Sequence, residues 1–211
     1  ETEEIFDYYK ELEKNDKIKI VKYGEKGFNY SKLINLGVRN STGEYIVQLN
    51  NDTELETPDW LEDMLGFATR EDVGVVGVRL YYPDNTIQHA GIAVGVDRVA
   101  THLFRGLPRH AHGYFAREST IQDFSAVTGA CMMAKKSTFE EVGYMDEDMP
   151  VAFNDLDFCL KIRQTGKLIV YDPFVNLTHY ESKTRGYETS PEKAERFEAE
   201  ITKFLDKWKE F

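Results

Sequence analysis

Apolar residues recur along this chain first at helical and then at strand spacing. Ile5, Tyr8, Tyr9 and Leu12 fall three and four apart, which predicts an amphipathic helix over the first dozen residues. Ile18 to Tyr23 alternates apolar and polar side chains, as a strand with one covered face does. Gly24 and Gly27 mark a turn. Tyr30 to Arg39 then reads as a helix carrying Leu33, Leu36 and Val38, and Gly43 closes that unit. Tyr45 to Leu49 is the next strand. Strand, helix and strand at this spacing predict a right-handed parallel crossover.

Thr57-Pro58 opens the following helix, with Thr57 as N-cap and Pro58 at the first helical position, and the helix runs to about Ala68. Val73 to Leu80 is a continuous apolar run of the kind a buried strand shows. Residues 83–94 read as a turn and another strand. From Arg98 to Ser119 periodicity gives way to Gly, Pro, His and Arg, and long irregular segments in compact domains are often functional loops. Ala126 to Ala134 is a strand interrupted by Gly129, followed by a short helix over Ser137 to Val142 and a helix from Asp155 to Thr165 closed by Gly166. Leu168 to Tyr171 is the next strand. Pro191 to Phe211 places Phe197, Ile201, Phe204, Leu205 and Trp208 on one helical face, able to pack on its own domain or on a partner.

Composition narrows the function classes. A chain of 211 residues with 41 % hydrophobic and 13 % aromatic content has enough apolar surface for one substantial core. No apolar stretch reaches the roughly eighteen residues a membrane span needs. Cys131 and Cys159 lie in apolar surroundings without metal-ligand spacing and read as buried thiols of a reducing compartment. The formal net charge of −11 argues against a nucleic-acid partner. It also means that a diphosphate could be held only where a metal ion and a few local cations reverse the field. The chain starts on Glu1 inside an acidic helix-like segment, as the remainder of a longer polypeptide would.

Four clusters could carry chemistry. Asn50-Asn51-Asp52 follows the Tyr45–Leu49 strand directly, and open α/β sheets bind ligands at that carboxyl edge. It fits either an Asx turn before a helix or a hard-cation site, with Asp52 as main ligand and Asn50 assisting. Asn154-Asp155-Leu156-Asp157 falls at a helix N-terminus, where the macrodipole favours negative charge. It fits plain capping, or a proton-accepting role for Asp155 with Asp157 structural. His179, followed by Lys183 and Arg185, supplies an imidazole and local positive charge suited to metal and phosphate. Gly129, inside Val127-Thr128-Gly129-Ala130-Cys131, marks either a close approach by ligand or backbone, or a β-bulge. Arg105 to Arg117, with His110 and His112, reads as an acceptor-side loop or a plain surface loop. Nucleophile-elbow, Walker-type and dinucleotide glycine motifs do not occur.

Taken in order, these motifs resemble a family 2 glycosyltransferase of the GT-A fold. The matching text is Gly27-Phe28-Asn29-Tyr30-Ser31-Lys32, Asn35-Leu36-Gly37, Gly43-Glu44-Tyr45 and Leu49 to Glu54. Val127 to Cys131, Gly143 to Glu147, Phe153 to Asp157 and His179 to Ser182 complete it. The nearest resemblance is to the bacterial rhamnosyltransferase or O-antigen branch. It implies an α/β domain, Rossmann-like, with a mostly parallel central sheet flanked by helices. The family's opening strand, helix and second strand have no counterpart in this sequence, so an N-terminally truncated domain is expected.

The resemblance further implies an inverting transfer of a sugar from a nucleoside-diphosphate sugar to a hydroxyl of a saccharide acceptor, free or lipid-linked. The expected setting is surface-polysaccharide synthesis in the cytoplasm, at the inner membrane face through other parts of the protein. Asp155 is implied as the base. By the same resemblance Asp52, His179 and Asn50 are expected to hold Mn²⁺ or Mg²⁺, Gly27, Lys32, Asn35 and Asn51 to line the nucleotide pocket, and Arg185 to grip the diphosphate. Gly129 and Asn154 lie on the acceptor side. Residues 1–82 would form the nucleotide-binding half, 83–190 the acceptor half and 191–211 the terminal helix of one domain. The rival readings are a non-catalytic carbohydrate-binding or scaffold module and, with fewer carboxylates than it needs, a phosphohydrolase.

Overall fold

In the computed structural model, residues 3–181 and 191–210 are described. The order begins with helices α1 (Glu3–Leu12) and α2 (Tyr30–Asn40) and strands β1 (Tyr45–Leu49) and β2 (Thr53–Leu55). Helix α3 (Trp60–Ala68) leads into the long β3 (Val73–Tyr81), then β4 (Ile87–His89), β5 (Ile92–Val94) and β6 (Ala100–His102). Strands β7 (Gln122–Asp123) and β8 (Cys131–Lys135) precede helices α4 (Lys136–Glu141) and α5 (Asn154–Gln164). Strand β9 (Leu168–His179) and helix α6 (Pro191–Lys207) complete it.

The central sheet has the order β1-β8-β3-β9-β2, with β4 added to β3 and β7 to β9, while β5 and β6 form a separate ribbon. The α/β class holds, but the sheet is mixed rather than mostly parallel. Only β3 and β9 pair in parallel among the described strands. β8 enters between β1 and β3 against the direction of both, and β2, β4 and β7 also pair antiparallel.

The expected crossover from residues 18–23 to β1 does not form, because 18–23 makes no ladder. Ile20 and Val21 are half-buried, and Lys19 Nζ bonds Asn40 at the end of α2. Alternation reports a covered face, which packing supplies here without a neighbouring strand. The helix expected from Thr57 starts at Trp60 instead. Thr57 Oγ1 accepts from the backbone N–H of Asn176 at 3.0 Å, tying it to β9 rather than capping α3. The strand expected over 126–134 is ordered as β8 only from Cys131, with a turn across Gly129 and Ala130. β9 is longer than its apolar start at 168–171 suggested and carries the ladder to His179.

Apolar side chains divide between the two sheet faces. Val76, Val78, Leu80, Met133 and Leu177 pack with Met64 and Ala68 of α3. Met132, Tyr171, Phe139, Phe158, Leu160 and Ile162 form the other layer with α4 and α5. Gly74 lets α5 approach β3: a Cβ there would lie 2.2 Å from Ile162 Cγ2. Helix α6 packs on this same domain. Its Ile201 and Phe204 are buried, and Phe153 rests against Phe197 and Phe204 with ring centroids 5.5 and 5.6 Å apart. Asp157, fully buried, accepts from Trp208 Nε1 at 3.0 Å and pairs with Lys207 at 2.6 Å, a structural role. Both cysteines are free and buried, and burial pushes their thiols up to about 12.

Candidate active site

Asp52 and His179 are distant in sequence and adjacent in space because β2 pairs with the end of β9, Thr53 opposite His179. The backbone N–H of Tyr180 donates to the Asp52 carbonyl at 2.9 Å and closes that edge. His179 Nε2 then stands 3.1 Å from Asp52 Oδ1, and its Nδ1 stands 2.7 Å from Gln88 Oε1. The Gln88 amide is oriented by its other end, which donates to Glu181 Oε2 at 3.2 Å and to the His179 carbonyl at 3.4 Å. Gln88 Oε1 therefore accepts the Nδ1 proton, which leaves Nε2 facing the carboxylate, as a donor when the ring is protonated and as a lone pair when it is not.

In the unprotonated form the lone pair and the carboxylate are two acceptors that a cation between them would bridge. Mg²⁺ or Mn²⁺ at about 2.1 Å from each ligand holds neighbouring ligands roughly 3 Å apart, so this carboxylate–imidazole pair fits such an ion. No group of three His, Cys, Asp or Glu side chains converges as a metal site among the described residues. Ligands beyond Asp52 and His179 would have to be phosphate oxygens and water, the usual habit of Mg²⁺.

A second group lies around Gly129. Phe153, with φ at +60°, turns the chain into α5 and leaves Asp155 in its first turn. Asp155 Oδ2 accepts from the Gly129 N–H and Oδ1 from the Leu156 N–H, both at 2.9 Å. The Gly129 carbonyl lies 2.7 Å from Gln48 Nε2 and 2.9 Å from the Tyr30 hydroxyl, which also sits 2.7 Å from Asn50 Oδ1. Burial pushes the Tyr30 phenol up and keeps it a proton donor. A Cβ on Gly129 would meet Gln48 Nε2 at 2.6 Å, so this glycine admits side chains rather than a bulge. Asn50 is thereby drawn toward Tyr30 and Gly129 rather than toward His179.

Other sequence candidates fall elsewhere. Asn35 is buried, bonding both the N–H and the carbonyl of Met145 at 3.0 Å, and so clamps α2 to the loop before α5. The buried Asn154 amide donates to the Val151 carbonyl at 3.0 Å and secures that loop. Lys32 pairs with Glu25, Gly27 lies in an exposed turn with φ at +87°, and Asn51 is exposed beside Asp52. Arg185 and Lys183 lie outside the described residues. In the irregular segment, Arg109 pairs with Glu56 and stacks over Tyr81, while His110 and His112 are exposed.

A small cleft of about 120 Å³ opens beside His179, lined by Tyr82, Gln88, His102, Arg105, Thr128 and Glu181. Gln88, His102, Tyr30 and Gln48 were not singled out in the sequence. Their signal was a buried-strand pattern holding polar residues, Gln48 within β1 and Gln88-His89 within β4.

Comparison with known proteins identifies the class to which this mixed α/β sheet belongs. The family described as Glycosyl transferase family 2 matches residues 1–143. The chain belongs to that family. It is 41 % identical over 207 residues to an uncharacterized protein, y4gI, of Sinorhizobium fredii, covering 98 % of this chain and 23 % of that protein. It is 34 % identical over 166 residues to the O-antigen biosynthesis protein RfbC of Myxococcus xanthus, covering 78 % of this chain and 13 % of RfbC. The chain thus spans less than a quarter of either relative. The crystal structure of GalNAc-T7 with UDP, GalNAc and Mn²⁺ superposes with a TM-score of 0.69 at 14 % identity, over 98 % of this chain and 39 % of that one. That likeness establishes the GT-A fold.

Proposed function

We propose that this domain transfers a sugar, with inversion, from a nucleoside-diphosphate sugar to a hydroxyl of a saccharide acceptor in surface-polysaccharide synthesis. The observation that carries the reading is the Asp52–His179 pair, an imidazole nitrogen 3.1 Å from a carboxylate oxygen at the sheet edge. The UDP and Mn²⁺ in GalNAc-T7 and the O-antigen role of RfbC support it. Residues 1–82 serve the nucleotide, residues 83–190 the acceptor, and residues 191–211 brace the domain. Work at the inner face of the membrane would depend on other parts of the protein; no helix among the described residues is long and apolar enough to cross one.

Asp52 and His179 would hold Mn²⁺ or Mg²⁺ together with diphosphate oxygens, and the cation supplies positive charge against the charge that develops on the leaving group. Arg185 adds a forked cation to the same diphosphate. Asp155 takes the proton of the acceptor hydroxyl. As that oxygen bonds to the anomeric carbon, the carbon–oxygen bond to the diphosphate breaks and the nucleoside diphosphate departs. The two backbone N–H groups on Asp155 fix its carboxylate and leave each oxygen a further lone pair for that proton.

Calorimetry with UDP, GDP and dTDP, with and without Mn²⁺, tests the reading. One nucleotide should bind with Mn²⁺ and lose most of its affinity in Asp52→Ala and in His179→Ala. Asp155→Asn should bind it normally and lose about 10²–10⁴-fold in turnover. Metal-independent binding, or no binding of any nucleotide, would favour a non-catalytic module.

A further inference from the structure

Gln88 and His89 are consecutive in β4, and each orients a different histidine. Gln88 accepts the Nδ1 proton of His179, as described above. His89 is fully buried, and its Nδ1 lies 3.2 Å from Nδ1 of His102, which lines the cleft. The ring of His89 is held between His102 and Tyr171, edge-on to each, with centroids 5.2 and 6.3 Å away.

The protons in this pair can be placed. The backbone N–H of Gly91 donates to His89 Nε2 at 3.3 Å, so that nitrogen carries a lone pair. Neutral His89 then has its proton on Nδ1 and donates it to His102 Nδ1. His102, accepting on Nδ1, has its own proton on Nε2. The two nitrogens of an imidazole point to nearly opposite sides. With Nδ1 turned inward to His89, Nε2–H is turned toward the cleft, where no described side chain accepts it. Gly91 is suited to this task, since its φ of +95° is left-handed and a Cβ would lie 2.2 Å from the Phe124 ring. Burial holds both imidazoles below the ordinary histidine range, most strongly His89, which agrees with two neutral rings.

We propose that His102 is a substrate-binding residue whose Nε2–H donates to a hydroxyl oxygen of the acceptor saccharide in this cleft, with His89 as the positioning residue that fixes its tautomer. With His179 neutral beside a bound cation, as the proposed function has it, the two cleft histidines hold opposite tautomers. His179 offers a lone pair to a cation, and His102 offers a proton to a sugar oxygen. His102 in this form is not a base, which leaves proton abstraction to Asp155. The placement on the acceptor side rests on the transferase reading above, whereas the tautomers do not.

Two measurements on the chain decide it. A long-range ¹H–¹⁵N spectrum of the histidine rings at neutral pH should show His102 protonated on Nε2 only and His89 on Nδ1 only. A proton on His102 Nδ1 overturns the proposal whatever the enzyme does. Turnover is then measured over UDP-, GDP- and dTDP-hexoses against a panel of p-nitrophenyl monosaccharides. His102→Phe should raise the acceptor KM by about 10-fold, the loss of a good hydrogen bond, with the donor KM unchanged. His102→Gln, which keeps a donor, should recover most of it. An unchanged acceptor KM in His102→Phe also overturns the assignment. Absence of turnover with every pair counts against the transferase reading, and the spectrum still judges the tautomers.

Discussion

At the scale of single residues, the candidate site orders its side chains by single hydrogen bonds rather than by massing charge. Gln88 and His89 each constrain a neighbouring imidazole, and Gly129 constrains Asp155 through its N–H. Elsewhere, one ion pair gives a pH dependence whose sign can be worked out. The Arg109 guanidinium, helped by the Thr178 hydroxyl and opposed by burial, holds Glu56 below its ordinary value of 4.5. A carboxyl depressed on folding adds stability that is fully present above its unfolded value and is lost as pH falls through the folded one. Melting temperatures of the native chain and Arg109→Met, taken from pH 7 down to pH 3.5, should therefore differ most near neutrality and converge in acid. A gap that stays constant with pH would show that Arg109 acts through packing on Tyr81 alone. The residue scale also shows where sequence reading stopped. Asp52, Asp155 and His179 were legible as side chains able to do chemistry. Gln88 and His102 were not, since their roles exist only in the geometry of their partners.

At the scale of elements, α5 and α6 determine where Asp155 stands. The loop before α5 turns through Phe153, whose ring sits on Phe197 and Phe204 of α6, and the N–H of Ala152 donates to Glu200 of the same helix. Phe204→Ala should destabilise the chain by about 3–5 kcal/mol, the range for emptying a large buried aromatic position. Because the loop positions Asp155, turnover should fall further than nucleotide affinity, and calorimetry set beside steady-state kinetics separates the two. Equal losses in both would make α6 merely a cover for the core. The period of α6 was plain in the sequence, but which surface it covers was not, since an apolar stripe fits any apolar partner. The expected strand at 18–23 failed for a related reason: alternation records burial on one side and says nothing of a hydrogen-bonding neighbour.

At the scale of the whole molecule, a chain of net charge −11 would, under the proposed function, have to bring a diphosphate close to Asp52, Asp155 and Glu181. Under the proposed function a divalent cation offsets that repulsion, so nucleotide and metal should stabilise the fold only together. At a 100-fold excess over Kd, binding to the native state alone adds about 2.7 kcal/mol. In a domain of this size that corresponds to roughly 5–10 °C in Tm. Thermal scans with UDP, GDP or dTDP and Mn²⁺ should show a rise of that order for the preferred nucleotide, and EDTA should abolish it. A rise that survives EDTA would remove the metal from the account.

The sequence by itself determined the α/β class, the long buried β3, the order of the clusters and the family resemblance that this order carries. Those properties are local, since periodicity, caps and short motifs are written in neighbouring residues. Only the tertiary structure decided the direction of β8, the pairing that sets Asp52 against His179, and the contacts of Gln88 and His89 with His179 and His102. Each joins residues tens to more than a hundred positions apart or depends on the angle of a single hydrogen bond, and neither leaves a periodic trace along the chain.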